Sequence, residues 1–240
     1  MSYLFNRFNW EWFDPESIPN LLLDHLYITV VSLGIALAIA LPLSFLLARF
    51  RRFYLPIISI AGITYTIPSL VLVGFLVPLT GLDATTIIIP LIAYAQLVLI
   101  RNTVTAITGV DPALIEVGRA MGMSNLQVQL RVVFPLALPV IIAGIRVATV
   151  TTIGIATVGS LVGANDLGDL IFTGIANNYK DQVLAGAILI TAFALLADFV
   201  LLALQTALNR ERGTGIGSWS SFALGIQFVM RRKKGSPADA

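Results

Sequence analysis

The sequence predicts an all-α membrane protein of five transmembrane helices, with its N-terminus outside, its C-terminus cytoplasmic, and a helical loop on the cytoplasmic side between spans three and four. Three observations predict it. Of the 240 residues, 57% are hydrophobic and only 12% are charged, with a mean hydropathy of +0.89. A water-soluble domain carries roughly 25% charged residues on its surface, so the bilayer must act as much of this chain's solvent. Apolar runs long enough for a bilayer core, about 20 residues each, recur along the chain. Basic residues also gather on one side of those runs.

The spans fall at about 26–48, 55–79, 85–100, 132–161 and 183–208. The third is short, the fourth contains Arg146 and the fifth contains Asp198. Backbone polar groups in lipid must be paired within the segment, so these runs form helices. The alternating polarity of a membrane barrel is absent. With the N-terminus outside, all of the 15 basic residues except Arg7, Lys180 and Arg146 lie inside. The positive-inside rule selects that orientation, and an odd number of spans agrees with it.

The chain divides into an external interfacial segment (1–25), a transmembrane region (26–208) and a cytoplasmic tail (209–240). The first segment lacks the basic start and apolar stretch of a secretory leader. Its Phe5, Phe8, Trp10, Trp12 and Phe13 suit a membrane interface. In the tail, the apolar run 222–230 is too short to span. Followed by Arg231 to Lys234, it suits either a membrane-surface segment or a tail without fixed structure.

Composition also excludes functions. There is no cysteine and only one histidine, His25. That removes disulfides, thiolate sites and multi-histidine metal centres. A net charge of +2 gives no footprint for nucleic acid. No G-x-x-x-x-G-K-[ST] phosphate loop occurs, so any nucleotide-hydrolysing motor of that kind would have to be another polypeptide.

The internal loop, 102–131, carries the most information. Asp111-Pro112 is a helix start, an N-cap residue followed by a proline that tolerates the first helical position. Leu114, Val117 and Met121 recur at helical spacing and make one apolar stripe. Gly122 permits the left-handed geometry that ends a helix. Ser124 and Gln127 stand at capping-box spacing and start a second helix from about Asn125 toward Arg131. Pro135 and Pro139 mark its junction with span four. An apolar stripe on such a loop serves either a partner or its own membrane domain, and physics alone does not choose.

These residues resemble the EAA loop of the binding-protein-dependent (MetI-like) ABC importer permeases. The family pattern is Glu-Ala-Ala, three residues, Gly, nine residues, Ile-x-Leu-Pro. Here it reads Glu116-Val117-Gly118, three residues, Gly122, nine residues, Val132-Val133-Phe134-Pro135. Both alanines and the leucine are replaced, while the glutamate, glycine, proline and spacings fit. Leu22 to Arg52, Ile63 to Leu79 with its Thr66 to Leu70, and Val158 to Gly174 are similar to permeases for glycine betaine, carnitine and choline. In that last stretch Gly163-Ala-Asn-Asp-Leu-Gly168 stands where the family usually reads Gly-Ala-Gly-Gly-Leu-Gly.

The resemblance implies a permease subunit of an ATP-driven importer in the cytoplasmic (inner) membrane of a prokaryote. It implies no enzymatic activity or cofactor in this chain. The expected partners are ABC ATPase subunits, a second permease subunit, identical or homologous, and an external solute-binding protein. Glu116, Gly118, Gly122 and Pro135 become the ATPase-coupling residues. Tyr65, Phe75 and Tyr94 are candidates for the path of a quaternary amine, which aromatic faces hold by cation–π attraction. At 1.5 Å per residue, Arg146 and Asp198 both lie roughly 15 Å from the inner face, so they suit an intramembrane pair or a pathway lining. Gly154, Gly159 and Gly163 offer close helix approach. The readings left standing are an importer for an amino acid such as methionine or for a metal ion, an ion-driven secondary transporter, and a membrane scaffold that transports nothing.

Overall fold

In the computed structural model, which describes residues 2–210, every regular element is helical. A short α1 (Ser2–Phe5) precedes the first long helix, α2 (Ile18–Arg49). This helix starts eight residues earlier than the apolar run suggests. Ser17 at the N-cap and Pro19 in the first turn suit a helix start, so Asp24 and His25 lie inside the helix.

The expected second span is where the structure departs most. It is two helices, α3 (Tyr54–Thr66) and α4 (Ser69–Thr80), bent by 92°. The cause is Pro68. It lacks an N–H, and it drives the residue before it out of helical geometry; Ile67 has φ −69° and ψ 127°. Each arm is roughly 20 Å long at 1.5 Å per residue, short of a bilayer core. Four helical stretches are long and apolar enough to cross a membrane, namely α2, α5 (Ala84–Thr108), the run Asn125–Val162 and Lys180–Leu208. The bent pair makes a fifth only if its two arms count as one crossing.

The α5 helix also runs farther than expected, past Arg101 and Asn102. After it come α6 (Pro112–Ala120) and α7 (Asn125–Val128), a π-helical turn (Gln129–Val133) and α8 (Phe134–Ala156). Pro135 and Pro139 were expected to mark a junction, yet both lie inside α8. In the π turn the Phe134 N–H reaches back five residues to the Gln129 carbonyl. That wider turn relieves the clash between a proline ring and the carbonyl four residues earlier, so the chain passes through Pro135 without breaking. A 3-10 segment (Thr157–Val162), α9 (Gly168–Ala176) and α10 (Lys180–Arg210) complete the described chain. The tail residues 222–230 and Arg231 to Lys234, for which a membrane-surface segment or a tail without fixed structure is expected, lie outside the described residues.

The core lies where α2, α5 and α8 meet, around Ala36, Ala40, Leu99, Ile100 and Ala148. Small residues set the spacing, at positions only partly foreseen. A Cβ on Gly144 would lie 2.5 Å from Asn102 of α5, and one on Gly159 would lie 2.7 Å from Asp166, whereas Gly154 faces open space. The outer face of α10 exposes Leu195, Leu196, Phe199 and Val200, as suits a helix against lipid.

Candidate functional site: a helical elbow and an intramembrane pair

The elbow forms as its sequence dictates. The Asp111 side chain accepts the Ala113 N–H at 2.9 Å and so caps α6. Ser124 and Gln127 make a reciprocal capping box at the start of α7. Between them Gly122 takes φ +82°, a conformation that a side chain with a Cβ resists.

Gly118 is buried where α6 meets the following turn. A Cβ there would sit 3.4 Å from Val132 and 3.5 Å from Val128, which is ordinary contact. The α6 helix thereby rests on the π turn that leads into α8. Its other face is bare: Leu114, Val117 and Met121 are 45%, 56% and 72% exposed, and Leu126 and Leu130 continue the patch. Glu116 is exposed beside them. A run of apolar side chains at a loop marks a contact surface, and this one is mechanically continuous with a membrane-crossing helix.

Higher in the same helix the structure brings Arg146 and Asp198 together. The Arg146 guanidinium donates to both carboxylate oxygens, from Nε at 2.9 Å and from Nη2 at 2.8 Å. Its Nη1 donates to Gln205 Oε1 at 3.0 Å, and Gln205 Nε2 donates to the Pro139 carbonyl at 2.9 Å. Arginine's planar fork matches a carboxylate in this two-bond geometry. The network ties α10 to α8 at two levels. Gln205 was not anticipated; an amide two turns beyond Asp198, inside an apolar run, was its signal.

Of the aromatic candidates, two meet. Tyr65 and Tyr94 pack edge to face with centroids 5.8 Å apart. The Tyr94 hydroxyl donates to the Ile67 carbonyl at 2.9 Å, at the residue where α3 ends. Tyr94 is buried and Tyr65 is partly exposed, while Phe75 stands exposed on α4. Sequence spacing did not indicate that this pair braces the break between α3 and α4.

A second buried polar pair lies at the far end of α8. His25 and Asp166 have fully buried side chains, with Nδ1 and Oδ1 3.6 Å apart. The signal in the sequence was Asp166 itself, a carboxylate where the family pattern has glycine. Burial pushes the Asp166 carboxyl up, against the opposing pull of His25, Gly168 and Ser160. Burial and the neighbouring Asp166 charge push Asp169 up to about 6.

These features define a multi-pass helical membrane protein with an exposed apolar elbow on one face. The chain belongs to the family described as the binding-protein-dependent transport system inner membrane component, which matches residues 31–213. It is 37% identical over 179 residues to the glycine betaine/carnitine/choline transport system permease protein OpuCB of Bacillus subtilis (strain 168), covering 74% of this chain and 82% of that protein. Against the carnitine transport permease protein OpuCD of Listeria monocytogenes it is 42% identical over 186 residues, covering 77% and 83%. Its fold matches that of a chain of the MetNI methionine ABC transporter in an inward-facing conformation, with a TM-score of 0.70 and 25% identity over 78% of this chain and 96% of that one.

Proposed function

We propose that this chain is the membrane-spanning permease subunit of an ATP-driven importer for glycine betaine, carnitine, choline or a related quaternary amine. The observation that carries the reading is the elbow: an exposed apolar stripe on α6, turned at Gly122 and joined through the π turn to α8. The stripe is the docking surface of a separate ATPase subunit, where ATP and Mg reside, and Glu116 orients it. Motion of the ATPase subunits then moves α6 and α7, and α8 follows. The Arg146–Asp198–Gln205 network makes α10 travel with it.

The elbow is cytoplasmic and the N-terminus external, as the distribution of basic residues favours. A second permease subunit completes the pathway, and an external solute-binding protein delivers the solute. The solutes for which the relatives are named support the substrate class. The Tyr65–Tyr94 pair at the α3–α4 break offers the aromatic face that a quaternary ammonium prefers.

Reconstitution tests this. The permease with its ATPase and binding protein in liposomes should accumulate labelled carnitine or choline only when ATP is supplied. Uptake driven by an ion gradient without ATP would overturn the importer reading. ATP-driven uptake of methionine alone would overturn the substrate class.

A further inference from the structure

We propose that His25 and Asp166 form a proton-holding latch that seats the 163–168 loop across the ends of α2 and α8, so that releasing the loop is a proton-coupled step. The geometry is specific. Where α8 gives way to the 3-10 segment, the Thr157 N–H bonds the Ile155 carbonyl. The Ile153 carbonyl lies 3.2 Å from His25 Nε2. A carbonyl only accepts, so Nε2 carries a hydrogen.

The other ring nitrogen, Nδ1, is left without a hydrogen-bond partner, 3.6 Å from Asp166 Oδ1. Asp166 Oδ1 accepts the Gly168 N–H. Two buried groups therefore face each other, and one proton between them leaves the pair neutral overall, whichever atom holds it. Without that proton an unpaired carboxylate would be buried at high cost. The loop cannot drift away from this point by small steps. Leu167 and Ala164 are buried on either side of Asp166, and a Cβ on Gly159 or Gly168 would strike the carboxylate at 2.7 Å.

Other charges near the latch are few. On α9, Asp169 accepts the Asp166 N–H at 3.4 Å, and Glu16 acts on Asp169. Asp24 and Asp83 line an open recess beside Asn165. The face toward α10 supplies Phe193, whose ring stands T-shaped to the imidazole with centroids 5.6 Å apart.

The sign of the coupling follows from counting protons. On this proposal the seated pair holds two, one on Nε2 and one on the Asp166 carboxyl or on Nδ1, which lie 3.6 Å apart. Lifted into water above about pH 6.5, an imidazole is neutral and a carboxyl ionised, so the pair holds one. Seating takes up a proton, and rising pH favours release by up to about tenfold per pH unit. Asp169 acts in the same direction but over a lower window. Its raised value favours the seated loop below about pH 4, and that contribution is lost as pH rises through about 6. On the importer reading, the latch makes opening of this end less favourable in acid; that consequence falls with the reading, whereas the latch itself does not.

The chain has no cysteine, so a single one reports loop release without transport. In the full chain in nanodiscs, Val162→Cys is buried and Ile175→Cys is exposed. Their maleimide-labelling rates are compared at each pH, because the ratio cancels titration of the thiol. The ratio should rise several-fold to tenfold per unit between pH 7 and 8.5, and it should be flat in the Asp166→Asn background. His25→Gln should raise it at neutral pH, and adding Asp166→Asn should restore protection. A flat ratio with the pair intact, or a slope that survives Asp166→Asn, would overturn the latch; the first measurement needs no change at the pair.

Discussion

The two ends of α8 solve opposite problems. At one end the elbow leaves Leu114, Val117 and Met121 in the open while its polar capping groups are satisfied. At the other, the 163–168 loop hides its apolar residues and buries a histidine and an aspartate with them. An exposed apolar surface lowers its free energy by acquiring another molecule. A buried polar pair is satisfied by the groups folded in beside it. On the proposed function a partner completes the elbow, and on the proposed latch a proton holds the loop. Between them stands the Arg146–Asp198 pair, which couples helices without belonging to either end.

The sharpest way to break this comparison is at Gly122. Gly122→Val puts a β-branched residue at φ +82°, and we expect ATP-coupled uptake to be abolished while membrane insertion persists. Normal uptake by that variant would remove the elbow from the mechanism. A smaller effect is expected at the pair between the ends. Asp198→Ala leaves the Arg146 guanidinium without its two charge-assisted bonds. The expected loss is about 1.5–3 kcal/mol, seen as a lower Tm in detergent, and restoring it by exchanging the two charges would separate pairing from a role in the pathway. The smallest change sharpens the comparison. Gly118→Ala adds a methyl at contact distance and removes a flexible residue from α6. We expect a gain of up to about 1 kcal/mol in helix stability with uptake retained; loss of uptake would mean that α6 must loosen during turnover.

The elbow was the most legible part of the sequence because its determinants are local. A cap, a positive φ and a capping box each involve residues within four of one another, and each forms as the pattern predicts. The count and bounds of the long helices were legible less well. Hydropathy reports the apolar length of 55–79 but not the geometric effect of Pro68 inside it, and it ends α5 at Arg101 although the helix continues to Thr108. Matching depth brought Arg146 and Asp198 within range, but only packing supplied Gln205 and the two-bond geometry.

By itself the sequence determined that the chain lives in a bilayer, which ends of its spans carry the basic residues, and where the elbow turns. Those properties follow from apolar area, charge and backbone preference, which are summed along the chain. Only the tertiary structure decided that Tyr94 braces the break after Pro68, that Gln205 joins the Arg146–Asp198 pair, and that His25 meets Asp166 across 141 positions of sequence. Such contacts depend on how helices cross, and one dimension of sequence does not encode that crossing in any local pattern.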